Sequence, residues 1–193
     1  MGDSPPLFVV DMQWGQQPVR LTAWRRATLP TDAPTTSVHI VAFHGPRVLV
    51  VRDRKGVFGF PGGRLEPGET QAEAMAREVY EEAQAHLRPG YSLYAAIKIE
   101  YTERIPGRIY PYDYSYMAMY AGIVRALDPI RTDPAGYITS RALFTRAECE
   151  KHLLAHDQIL LREALAALMA QPHGYGPSLR AFLAPEDQTG VRG

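Results

Sequence analysis

Between Gly63 and Ala85 the chain reads GRLEPGETQAEAMAREVYEEAQA, a stretch that sets the carboxylates of Glu78, Glu81 and Glu82 close together. On a helix Glu78 lies i,i+3 from Glu81 and i,i+4 from Glu82, so all three can converge. Like charges so placed destabilise a helix. A hard divalent cation offsets that repulsion, and Mg²⁺ prefers oxygen ligands that it shares with substrate phosphates. The chemistry implied is metal-assisted work on a phosphate group. The segment before the helix, Phe60-Pro61-Gly62-Gly63, suits it, because paired glycines let the backbone approach a ligand closely. Pro67-Gly68 makes a second turn.

Positioning the carboxylates requires a helix, and the sequence marks its start. Thr70 and Glu73 form a capping box. Ala72, Met75, Ala76, Val79 and Ala83 recur at helical spacing and are expected to form one buried stripe, with the three glutamates roughly opposite. Pro89-Gly90 is expected to stop the chain just beyond. Val38–Phe43 and Arg47–Arg52 flank His44-Gly45-Pro46 and read as a hairpin. Tyr91–Glu103 and Tyr114–Arg125 read as long strands, and a short one follows near Tyr137–Phe144. Asp157–Ala170 has the apolar pattern of an amphipathic helix. Interleaved strands and helices with one hairpin point to an α/β sandwich. Residues 1–35 read as an N-terminal extension that adds a strand or assists a homodimer. Residues 36–170 form the main domain, and residues 171–193 form a tail in which Leu179, Phe182 and Leu183 are suited to docking.

The spacing of Gly63, Glu69, Arg77, Glu78, Val79, Glu81 and Glu82 resembles the signature of the Nudix hydrolases, G-x5-E-x7-R-E-U-x-E-E-x-G-U, where U is a bulky aliphatic residue. The late glycine is replaced by Gln84, and the last aliphatic position is the small Ala85. A solvated glutamate-rich helix face explains neither the glycine turn nor the register. The resemblance implies a Nudix-type α/β/α sandwich with a mixed central β-sheet. It implies a hydrolase that cleaves the pyrophosphate of a nucleoside diphosphate linked to another moiety, with Mg²⁺ or Mn²⁺ as cofactor. Under it Glu78 and Glu82 are the principal metal ligands, and Glu81 is a further ligand or the base for the attacking water. Glu69 and Arg77 brace the loop on the helix, and the Gly62 or Gly63 carbonyl completes the shell. Gln84 puts the loop after the helix in question, because glycine reaches backbone angles that glutamine rarely adopts. The rival reading is a nucleotide-binding or regulatory module without turnover, and Gln84 is the one feature in its favour.

Arg52, Arg54, Lys55 and Arg64 are candidate phosphate contacts, with ordinary surface charge as the alternative. Tyr110 and Tyr112 are candidates for stacking on a base, whereas Tyr114 and Tyr116 suit strand packing. Asp133 is the first candidate for a further acid, followed by Glu103 and Asp113. Cys149, His152 and His156 share roughly one helical face but lack the fourth ligand of a structural zinc site. The 193 residues carry 21 Lys plus Arg and 21 Asp plus Glu, so the net charge is zero, which argues against an extended nucleic-acid surface but not against a small nucleotide substrate. One cysteine allows no intrachain disulfide, and a cytoplasmic setting is expected. No apolar run is long enough to span a membrane.

Overall fold

The computed structural model describes residues 4–171 and 176–184. Its frame is a mixed sheet that begins with an N-terminal hairpin, β1 (Phe8–Trp14) and β2 (Gln17–Arg25). β3 (Thr35–His44) and β4 (Arg47–Asp53) form the expected hairpin, followed by the short β5 (Phe58–Gly59) and β6 (Gly62–Arg64). Helix α1 (Gln71–Ala83) leads to β7 (Ala85–Leu87), β8 (Ser92–Tyr101), β9 (Tyr114–Leu127) and β10 (Ile138–Phe144). Helices α2 (Arg146–His152), α3 (Ala155–Met169) and α4 (Gly176–Leu183) complete the described chain. The main path across the sheet is β1-β2-β8-β9-β3-β4-β10. β3 and β9 run parallel, and the other pairings are antiparallel. Among the described residues no helix is long and apolar enough to cross a membrane.

The central strands are apolar on both faces, as strands covered on both sides must be. From β3 and β4, Val38, Ile40, Ala42, Leu49 and Val51 join one core with Met75, Val79 and Ala83 of α1. The alternate residues Val41, Phe43, Val48 and Val50 join the other core, with Leu160, Leu161, Leu165 and Leu168 of α3. The architecture is therefore the α/β layered arrangement with a mixed sheet. The N-terminal hairpin extends that sheet, since β2 pairs with β8 along its length. At the other end of the chain, Leu179 and Phe182 of α4 are buried in the second core, whereas Leu183 is exposed.

Three local expectations are corrected. The buried stripe of α1 is Ala74, Met75, Val79 and Ala83, while Ala72 and Ala76 face solvent. The helix is rotated so that Glu78 and Glu82 turn toward the glycine loop and are partly buried. Helix α1 also ends at Ala83, before Pro89-Gly90, because Gln84 takes a left-handed conformation with φ 43° and ψ 45°. Finally, Cys149, His152 and His156 do not share a helix face, because the chain turns extended at Leu153 between α2 and α3.

Candidate active site

The site is built where β6 pairs with the start of β3 and meets α1. β6 pairs antiparallel with β3, setting Gly62 opposite His39 and Gly63 opposite Val38. Gly62 has φ +146°, and a Cβ there would lie 2.2 Å from the Val38 carbonyl oxygen. At Gly63 a Cβ would lie 2.4 Å from the Glu78 carboxyl group. Two glycines therefore let the loop backbone press against both the sheet and the carboxylates of α1.

The capping box fixes where α1 starts, with Thr70 Oγ1 accepting from the Glu73 N–H at 3.3 Å and the Thr70 N–H donating to Glu73 Oε2 at 2.9 Å. That start sets the angular position of each residue below it. Arg77 grips Glu69 with two hydrogen bonds, Nε to Oε1 at 2.9 Å and Nη2 to Oε2 at 3.0 Å. Its Nη2 also donates to the Arg64 carbonyl at 2.9 Å, so the guanidinium ties the loop to the helix. Two-toothed pairs of this kind fix geometry as well as charge. The hydrogen bonds from Arg77, and next the Glu66 N–H, hold the Glu69 carboxyl below its ordinary pKa.

The three glutamates sit together but point to different partners. Arg77 Nη1 donates to Glu78 Oε1 at 2.9 Å and to Glu81 Oε2 at 3.2 Å. Glu82 turns inward and accepts from the Gly62 N–H at 2.9 Å. Among the described residues no three acidic, histidine or cysteine side chains already form a closed cation cage. Like charges spread to the nearest donors, so the expected convergence is incomplete here. Burial first of all pushes Glu82 up to about 8; the Gly62 N–H opposes the shift, and the charges of Glu78, Asp133 and Glu81 add to it. Burial likewise raises Glu78, against the pull of Arg77. Among the described residues Glu82 has no salt-bridge partner. The donor set is all oxygen with surplus negative charge, and Glu82 has no cationic side chain paired with it among the described residues. It fits a hard divalent cation.

Gln84 is built into the end of α1. Its Nε2 donates to the carbonyls of Tyr80 at 3.0 Å and Glu81 at 2.8 Å, and its Oε1 accepts from the Arg131 N–H at 2.8 Å. Its own carbonyl accepts from the Asp128 N–H at 2.8 Å. From β10, Arg141 Nη1 donates to the carbonyls of Ala83 at 2.7 Å and Asp128 at 3.0 Å, placing positive charge at the helix C-terminus where the dipole favours it. The loop that the missing glycine put in question is thus closed by side chains instead.

The remaining candidates divide by position. Asp133 is buried, and its carboxylate accepts the N–H groups of Ala135, Tyr137 and Ile138 at 3.0, 2.7 and 2.7 Å. It holds the turn into β10. Asp113 pairs with Arg104, and Glu103 is exposed on the same loop. Arg52 lies over Phe58 at 5.7 Å and Arg54 over Tyr137 at 4.9 Å, with Lys55 exposed between them and β5. Arg64 and Tyr112 line one cleft together, and Arg52 and Arg54 lie outside it. Tyr114 and Tyr116 direct their hydroxyls to Asp32, and Tyr116 is buried. Cys149 is buried in α2, and burial pushes its thiol up to about 12. Sequence reading missed Trp14, Gln17 and Arg108, which join the Arg64 cleft or its supports from elements distant in the chain. It also missed His39, whose ring lies beneath Gly62 and is held neutral by burial.

A sequence model of the NUDIX domain matches residues 33–153. The 8-oxo-dGDP phosphatase NUDT18 of Homo sapiens is 53% identical over 38 residues, which is 20% of this chain and 12% of that protein's length. The fold is similar to that of a point mutant of the Bacillus subtilis pyrophosphohydrolase BsRppH, with a TM-score of 0.57 and 18% identity over 83% of this chain and 96% of that one. It is also similar to the NUDIX domain of Shewanella oneidensis NrtR complexed with ADP ribose, with a TM-score of 0.54 and 16% identity over 71% of this chain and 90% of that one. The matched span covers well over half of the chain and holds the whole carboxylate loop and helix, and the chain belongs to the Nudix hydrolase family.

Proposed function

We propose that this enzyme hydrolyses a nucleotide pyrophosphate bond with Mg²⁺ or Mn²⁺ held by Glu78 and Glu82. The observation that carries the proposal is Glu82, a partly buried carboxylate that accepts from the Gly62 N–H and, among the described residues, has no salt-bridge partner. A bound divalent cation would neutralise phosphate charge and lower the pKa of a bound water. The rest falls to the chain's own residues. Glu81 is more exposed than Glu78 and either adds a ligand oxygen or takes the proton of the attacking water. The Gly62 or Gly63 carbonyl adds a further oxygen. Glu69 and Arg77 do not touch the reacting atoms; they hold the loop on α1. Arg64 leaves that loop toward the cleft and meets substrate phosphate, with Tyr112 on the far wall.

The binding-module reading loses its one support, since Gln84 adopts the angles a glycine would and caps the helix as well. The short likeness to an 8-oxo-dGDP phosphatase makes nucleoside diphosphates, oxidised and ordinary, the first substrates to offer. Nucleoside triphosphates, sugar nucleotides and dinucleotides complete the panel. The test is turnover of that panel with Mg²⁺ and with Mn²⁺, followed by product mass. Glu82→Gln is expected to lose at least about a hundredfold in turnover with an unchanged circular dichroism spectrum. Near-normal turnover in that variant refutes the assignment.

A further inference from the structure

We infer that the N-terminal hairpin, which lies outside the matched NUDIX span, completes a stacking cleft for the base of the substrate. In it Trp14 is one wall, and Gln17 is the peg that positions the opposite wall. The inference rests on the nucleotide reading above and deepens it.

The cleft has a volume of about 440 Å³, within the range of small-molecule sites. One end is formed by Arg64–Pro67, directly after the two glycines that meet the carboxylates of α1. The other end is formed by Trp14, at the tip of the hairpin, and by Arg108–Tyr112 in the loop between β8 and β9. Trp14, Ile109 and Tyr112 are 36%, 88% and 47% exposed, so three large apolar side chains are left open around one cleft. Clustered apolar surface of this kind marks a binding site rather than scattered surface variation.

The loop is held by a buried amide. Gln17 is 1% exposed and begins β2. Its Nε2 donates to the Glu103 carbonyl at 2.7 Å and the Pro18 carbonyl at 3.1 Å. Its Oε1 accepts from the Tyr110 hydroxyl and from Arg108 Nη1 at 3.4 Å. Tyr110 in turn accepts from the Ile105 N–H at 2.9 Å and packs edge-on against Tyr101 at 4.7 Å. One side chain thus anchors the loop at Glu103, Arg108 and Tyr110, which sets the height of Tyr112 above the sheet. Gln17 is a positioning residue.

Charge and shape select the occupant. Arg64 lies at the end nearest the carboxylates, Arg108 lies at the hairpin end with Trp14 and Tyr112, and the small polar residues Thr35–Ser37 and Ser115 line the stretch between. A diphosphate lies at the first end, and a flat base stacks along the second. Aromatic faces accept any nucleobase, and each stacked base contributes about 1–3 kcal/mol.

The test uses the full chain with Mg²⁺ and the α,β-methylene analogues of the four nucleoside diphosphates, which resist hydrolysis. Methylenediphosphonate is the control without a base. In a Trp24→Phe variant Trp14 is the sole tryptophan, and its fluorescence should change with the nucleotides and not with the control. At least one analogue should bind about tenfold or more tighter than the control. Trp14→Ala should erase that ratio and leave the control's affinity unchanged. Gln17→Leu and the milder Tyr110→Phe should reduce the ratio in the same selective way, whereas a merely structural role would weaken both ligands together. Nucleotides that bind no tighter than the control, or a ratio untouched by Trp14→Ala, overturn the inference. The hydrolase reading fails separately, through absent turnover of natural nucleotides in protein that still shows the binding ratio.

Discussion

Gly62 and Gly63 are neighbours with different jobs, and alanine separates them. At Gly62 the added methyl would strike backbone, the Val38 carbonyl, at an angle that side chains rarely adopt. Gly62→Ala is expected to cost about 2 kcal/mol or more, read as a lowered midpoint in urea. At Gly63 the three atoms nearest the methyl would all belong to the movable end of Glu78. Gly63→Ala should therefore fold with little loss of stability and lose turnover, because it displaces a carboxylate assigned to the cation. Gln84 gives a matching pair. Its left-handed backbone costs about 1–2 kcal/mol, and its side-chain hydrogen bonds return about 1 kcal/mol each. Gln84→Ala keeps the strain and loses three side-chain bonds, so it should destabilise by about 3 kcal/mol. Gln84→Gly relieves the strain and should cost only about 1–2 kcal/mol, both read by chemical denaturation. The Glu69–Arg77 pair was implied by the resemblance to the Nudix signature, whose residues lie close together in the chain. The role of Gln84 could not be read in advance, because its partner Arg131 is distant in sequence.

Helix α1 was legible from its capping box, since Thr70 and Glu73 carry their signal within one turn. The same signal at Thr145 and Glu148 starts α2, yet the break that follows was not legible. It depends on Gln158, whose Nε2 reaches back to the carbonyls of Glu150 at 3.1 Å and Leu153 at 3.0 Å and satisfies the end of α2. Just beyond that break lies Asp157, in the first turn of α3, and burial pushes its carboxyl up to about 7 from an ordinary 3.8. The unfolded chain releases this proton at lower pH than the folded one. The stability Asp157 allows is thus complete below about pH 4 and falls as pH rises through about 7. Asp157→Asn removes the dependence. Denaturation midpoints of the two proteins should converge near pH 4 and diverge to about 2–4 kcal/mol in favour of the variant by pH 8.

Across the whole molecule, the sheet joins segments that the sequence presented as separate. The N-terminal run was expected to add a strand or assist a homodimer and the tail to offer docking residues; β2 pairs with β8, and Phe182 meets Phe43 edge-on at 5.4 Å. Which partners they meet is set by packing across the chain, and no local pattern announces that. Phe182→Ala should therefore behave as a core truncation, costing about 3 kcal/mol in thermal or urea unfolding, although it lies far along the chain from the carboxylates. The layered α/β class was legible because alternating strands and helices allow few arrangements. Within that frame the chain's single cysteine is sealed in α2 as a thiol that ionises only near pH 12. Thiolate is the reactive form, so folded protein is inert toward maleimides and mild oxidants near neutral pH. A cysteine introduced beside Tyr112 would then carry a dye alone, and the rim of the cleft could be watched without removing the native Cys149.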